Sequence, residues 1–463
     1  MAAPRRVAAP SGEPSYDGAV PDLLTARRRR PWRGWSVLFA AAGLAVVTGL
    51  GGCTSGGGDA GDGPVAPSSA VVARTAATEP SSEDVAAVTA VLEARAAAVV
   101  AGDEQAYAAT VADPASTAGR RQHASYDAAR ALRVSRLDVG TPVVEAGPSE
   151  TGGPLRTARA EVEVRYRVDD LDRADRSARL VYDLERSGSG WAVTSETPAG
   201  PGATLPWVAM PGLRVHRGEH GVVAGTVPTA RLREHTAVVD RALPGLRRDW
   251  EATPDRVLVL APATAQEADA LLGRTSGPGT AEVAATTEGP TDAAGLATGD
   301  RVVLDPTAYG RLTPAGRDVV LTHELAHVAV QASVPGRAAG WLAEGYADHV
   351  GYDRADVPDE RLLEPLLAEV RAGRGPTRLP EPAELDPAAG EIEEPYLAAW
   401  QAVELLADEH GEDGLRRLLV AGSSTGSPKD AETATDLALR DVLGTSRDAL
   451  TRLWRQRLRE LAR

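Results

Sequence analysis

An α+β fold in two parts is predicted, and three observations predict it. Ala160 to Val168 and Ala178 to Leu184 alternate apolar and polar side chains with a period of about two, as strands with one buried face do. From Thr313 to the end the apolar residues fall mostly at helical spacing. Between these stretches, Pro198 to Pro206 is rich in proline and glycine and reads as a linker. The chain thus divides into a small α+β part over 83–200 and a second part over 205–463. In the second part a small sheet precedes a mostly α-helical half.

Taken in order, Asp84 to Val111 is helical in period, with Val85, Val88, Val91 and Leu92 on its inward face. Ala160 to Val168 and Ala178 to Leu184 are strands, and Gly190 to Ser195 closes the first part as a last strand. Thr229 to Trp250 is a helix, Arg256 to Leu260 a strand and Gln266 to Leu272 a short helix. Residues 274–298 are rich in Gly, Thr and Ala and read as a loop. Arg301 to Asp305 is a short strand. Thr313-Pro314 supplies an N-cap and a proline at the first helical position, and Pro335-Gly336 stops the helix that begins there. A helix from Tyr396 to Gly411 and a basic helix from Ser446 to Arg463 follow. No internal repeat is visible.

The chemistry concentrates in two segments. His323-Glu324-Leu-Ala-His327 places two imidazoles one helical turn apart on one face, where both reach a single Zn²⁺, with Glu324 beside the metal and free to act as a base. The flanking Val319, Val320, Leu321, Leu325, Ala326, Val328 and Val330 make this a core helix. Ionisable groups are rarely placed in a core without a metal or a partner. Fourteen residues after His327 comes Trp341-Leu-Ala-Glu344-Gly-Tyr-Ala-Asp348. Glu344 is the candidate third ligand, leaving a fourth position for water. The metzincin pattern needs glycine and histidine three and six residues after His327, where Val330 and Ser333 stand, and is excluded.

On these two motifs the chain resembles the gluzincin metallopeptidases of the peptidase MA-like group, over roughly 205–463. The resemblance implies a thermolysin-like zincin fold with one zinc ion on His323, His327 and Glu344, Glu324 as general base, and a peptide or protein substrate. It implies that Asp348 hydrogen-bonds the first zinc histidine, which fixes the ring's tautomer. It makes Tyr396 the donor to the developing oxyanion, with His349 the next candidate. It also implies that Arg301 to Asp305 is a sheet edge lining the cleft, although these residues read equally well as an ordinary buried strand. The strand order of 83–200 resembles the cone-shaped fold of the nuclear-transport-factor-like superfamily. No catalytic constellation is visible there.

The amino terminus addresses location. Arg27 to Arg30 and Arg33 precede an apolar run from Trp35 to Leu50, and Leu50-Gly-Gly-Cys53 follows. This resembles a bacterial lipobox, in which Cys53 would carry lipid. Cys53 is the only cysteine, and lipidation explains a lone thiol that no disulfide framework does. An uncleaved signal anchor is the alternative, although the run is shorter than the roughly 20 residues of a spanning helix. Both put the second part on the outer face of the cytoplasmic membrane, with 1–53 as signal segment and 54–82 as a flexible tether. The net charge is −15 although residues 1–52 are basic, which argues against a nucleic-acid partner.

Overall fold

The computed structural model describes residues 79–147, 155–200, 202–274, 284–353, 358–386 and 393–463. The residues expected to form the signal segment, the lipid-bearing Cys53 and the tether, as far as residue 78, lie outside them. Among the described residues, no helix is long and apolar enough to cross a membrane.

The first part opens with α1 (Ser82–Ala101), capped by a reciprocal Ser81–Asp84 pair. The helix expected to run to Val111 ends earlier, because Gly102 takes a left-handed φ of 75° and accepts the role of C-cap. Asp103 then caps α2 (Glu104–Ala108). Next come α3 (Thr117–Leu132), β1 (Val134–Val139), β2 (Val143–Ala146), β3 (Thr157–Val168), β4 (Arg176–Ser187) and β5 (Gly190–Pro198). The sheet is antiparallel in the order β1-β3-β4-β5, with β2 also paired to β3. Alternation along β3 buries Ala158, Ala160, Val162, Val164, Tyr166 and Val168 on one face against the helices.

The second part contains α4 (Pro206–Ala209), β6 (Arg214–Arg217), β7 (Gly221–Gly225), α5 (Thr229–Asp249), β8 (Val257–Ala261), α6 (Ala265–Leu272), β9 (Ala285–Glu288) and β10 (Arg301–Leu304). Helices follow: α7 (Ala308–Arg311), α8 (Pro314–Ser333), α9 (Gly340–Asp353), α10 (Asp359–Leu362), α11 (Glu364–Arg371), α12 (Glu393–Ala421), α13 (Pro428–Leu443) and α14 (Arg447–Leu461). The fold is α+β with two small sheets.

In the second sheet the order is β6-β7-β8-β10-β9, and β7, β8 and β10 run parallel. Its central strands are apolar on both faces, because both are covered. Val223, Val257, Val259, Val302 and Leu304 face α5, α8 and the later helices. Val222, Ala224, Leu258, Leu260 and Val303 face the first part, and share a core with Trp207, Met210 and Tyr166. The second sheet is thus the middle layer of one compact unit.

Arg301 to Asp305 is not a sheet edge: β10 lies between β8 and β9 and all four of its residues are buried. The edge is β9, antiparallel to β10, inside the stretch that reads as a loop. Ala285-Thr-Thr-Glu288 has no apolar alternation of its own, so only its partner strand makes it extended.

Candidate metal centre

Helix α8 starts where Thr313 accepts a hydrogen bond from the Gly316 amide, with Pro314 at its first position. It is buried along most of its length, and His323, Glu324 and His327 are 1%, 1% and 5% exposed. Helix α9 brings Glu344 and Asp348 to the same place. Gly345 permits this approach, since a Cβ there would stand 2.6 Å from the Ala399 carbonyl oxygen of α12. The buried Trp341 anchors the helix's first turn.

Three donor atoms converge. His323 Nε2 and His327 Nε2 are 3.1 Å apart, and Glu344 Oε2 is 3.4 Å from each. A tetrahedral zinc site with bonds of about 2.0–2.1 Å has its donors about 3.3–3.4 Å apart. The triangle therefore matches one face of such a tetrahedron. Glu344 Oε2 is buried and accepts no hydrogen bond, so its lone pairs remain for a cation. The buried group His323, His327 and Glu344 can hold a metal ion.

Electrostatics favour positive charge at this point. Burial works against charge on His323, yet the Asp348 and Glu344 carboxylates overcome it and hold the imidazolium well above the usual histidine range. Burial likewise disfavours the Glu344 anion, but His327 and His323 outweigh it and hold its pKa down to about 2. A proton and a metal ion thus compete for the same imidazoles, and acid favours the proton. His323 Nδ1–H donates to Asp348 Oδ1 at 2.8 Å, which points Nε2 at the centre.

Glu324 stands beside the triangle without belonging to it. Burial raises its pKa, against the pull of His323, His327 and a hydrogen bond from Thr287. Thr287 Oγ1 donates to Glu324 Oε2 at 2.6 Å and lies 3.3 Å from the backbone oxygen of Glu324. Tyr396 also reaches the site from α12. Its hydroxyl donates to the Leu385 carbonyl at 3.3 Å. Burial and then the Glu344, Asp348 and Glu324 carboxylates raise its pKa well above the usual range, so it keeps its proton.

A scan against protein-family models finds no match, and a search of curated proteins finds none either.

His349 is directed elsewhere. Its Nδ1 meets Glu404 at 2.8 Å and its Nε2 meets Glu412 at 3.0 Å, so both ring nitrogens are engaged between α9 and α12. Burial opposes its charge, but these carboxylates raise its pKa from 6.5 to about 10. The proton is bound more tightly in the folded chain, so its stabilising effect is complete below about pH 6.5 and fades as pH rises toward about 10. Glu412 is largely exposed and contributes little, leaving the Glu404 contact as the main source. His349→Gln should cost about 1–2 kcal/mol at pH 6 and almost nothing above pH 10. Thermal melts of both proteins across that range check this. A penalty that stays constant from pH 6 to pH 10 would exclude the ion pair as its origin.

Sequence reading missed two residues near the centre. Thr287 carries no signal, being one threonine in a Gly/Thr/Ala-rich stretch. Asp300 does carry one, since it and Arg301 are charges abutting an apolar strand. Asp300 is 7% exposed, and neither carboxylate oxygen has a hydrogen-bond partner. Burial, reinforced by Glu288 and opposed by Arg176, His327 and Arg173, raises its pKa to about 7.

Proposed function

We propose that the chain is a zinc metallopeptidase of the gluzincin kind, acting on peptide bonds outside the cytoplasmic membrane. One observation carries the reading: three buried donors spaced for a tetrahedral ion, with a further buried carboxylate, Glu324, beside them and outside the ligand set. A small sheet with an antiparallel edge strand, followed by a helical half, supports a thermolysin-like zincin arrangement. The antiparallel sheet and helices of the first part support a cone-like domain. The arginine-rich flank, apolar run and Cys53 support anchoring by lipid.

Zinc bound at this centre supplies Lewis acidity toward a peptide carbonyl and acidifies a water. Glu324 takes the proton of the attacking water and delivers it to the leaving amine nitrogen. Tyr396 keeps its proton and exchanges its hydrogen bond to Leu385 for one to the developing oxyanion. Asp348 holds the Nδ1 proton of His323 throughout, so that ring does not turn.

Metal analysis together with turnover of an unbiased peptide library tests the proposal. One zinc per chain is expected, with cleavage that a chelator removes and added zinc restores. Stoichiometric zinc with no peptide cleaved would overturn the enzyme and leave a metal-binding protein. Absence of bound metal would overturn both.

A further inference from the structure

The edge strand β9 touches the centre on one face and the first part of the chain on the other. Its pairing with β10 sets Thr287 opposite Val302 and Glu288 opposite Arg301. Because side chains alternate, Thr287 and Val302 face α8 while Glu288 and Arg301 face the first sheet. On the α8 side, the Thr287 hydroxyl meets Glu324 Oε2 at 2.6 Å. On the other side, Arg176 of β4 donates to Glu288 Oε1 at 2.7 Å and to the Gly299 carbonyl at 2.8 Å. Arg301 donates to both oxygens of Asp172, at 3.0 and 2.9 Å, and to the Tyr166 hydroxyl at 2.9 Å. The Arg173 amide adds a bond to the Thr298 carbonyl at 2.7 Å.

These contacts bear on register. An edge strand has a partner on one side only, and β9 is four residues long. A slip of one residue would turn Thr287 away from α8 and bring Glu288 toward it. The clamp on Glu288, Thr298, Gly299 and Arg301 opposes that slip at the end of the ladder nearest Glu288. Glu324 itself has three rotatable bonds, and the Thr287 hydroxyl is the side-chain donor that fixes one of its oxygens.

We propose that Thr287 is the positioning residue for Glu324, aimed by a strand whose register the first sheet holds. This rests on the reading of Glu324 as general base. It assigns the first part of the chain a mechanical share in the reaction.

The test compares Thr287→Val, which keeps the β-branched shape but loses the hydroxyl, with Thr287→Ser, which keeps the hydroxyl. Both are made in the full chain and loaded with zinc. Thr287→Val should lower kcat about 10- to 100-fold with KM, zinc content and melting temperature as in the parent. Thr287→Ser should restore most of kcat. Crystal structures of the two variants give a second readout: Glu324 should leave its place in the valine variant and keep it in the serine variant. Parent kcat in Thr287→Val, or an unmoved Glu324 in its crystal structure, would overturn the assignment. If the parent chain cleaves no peptide, the peptidase reading fails, and the position of Glu324 in the two crystals still decides the role of Thr287.

Discussion

Replacing Glu324 by glutamine should leave one zinc bound per chain and lower kcat by about 10²- to 10⁴-fold. The metal should stay because Glu324 is outside the triangle of His323, His327 and Glu344. The shape also stays, so the buried pocket beside Thr287 remains filled and the fold is undisturbed. On the proposed function, what is lost is the group that accepts a proton from the attacking water. His323→Ala, by contrast, removes one of only three protein donors and should lose the metal together with the activity. Zinc content and kcat measured on the same preparation separate the two effects. Full activity in Glu324→Gln would exclude Glu324 as the base.

Asp172→Ala should destabilise the chain by about 3–5 kcal/mol, the cost of stripping one partner from a buried ion pair. The side chains of Arg301 and Asp172 are 3% and 1% exposed, so the guanidinium would be left without its counter-ion between the two sheets. The Tyr166 hydroxyl and ring would remain beside it but carry no charge to offset its own. Asp172 also accepts a hydrogen bond from the Val168 amide at 2.8 Å, which shapes the turn between β3 and β4. Urea denaturation should show a lower midpoint with little change in slope. Adding Arg301→Met to Asp172→Ala should recover much of the loss, since the uncompensated charge is then gone. A loss below about 1 kcal/mol for Asp172→Ala alone would mean that water reaches Arg301 and that the two sheets are not tied at this point.

Much of the centre was legible in one dimension because its parts repeat at helical spacing. His323 and His327 are four apart, as are Glu344 and Asp348, and any helix through these residues puts each pair on one face. The caps were legible too, since Thr313-Pro314 acts within a single turn. Tyr396, which the resemblance made the oxyanion donor, lies close enough to Glu344 to feel its charge. His349 is drawn away by Glu404 and Glu412, which lie 55 and 63 residues further along and have no local mark.

Local rules therefore carried the identity of the candidate donors, the α+β class and the ends of α5, α8 and α14, but not the end of α1. Spacing along a helix sets which side chains face the same way, whatever packs around them. Folding in three dimensions decided which strand is the edge, which hydroxyl touches Glu324 and which face of the sheet the first part covers. Each of those depends on contacts between distant residues: Thr287 meets Glu324 across 37 positions, and Arg301 meets Asp172 across 129. A short polar segment such as Ala285-Thr-Thr-Glu288 has no pattern strong enough to choose its own conformation. Its partner strand makes that choice, and with it places Thr287 on Glu324.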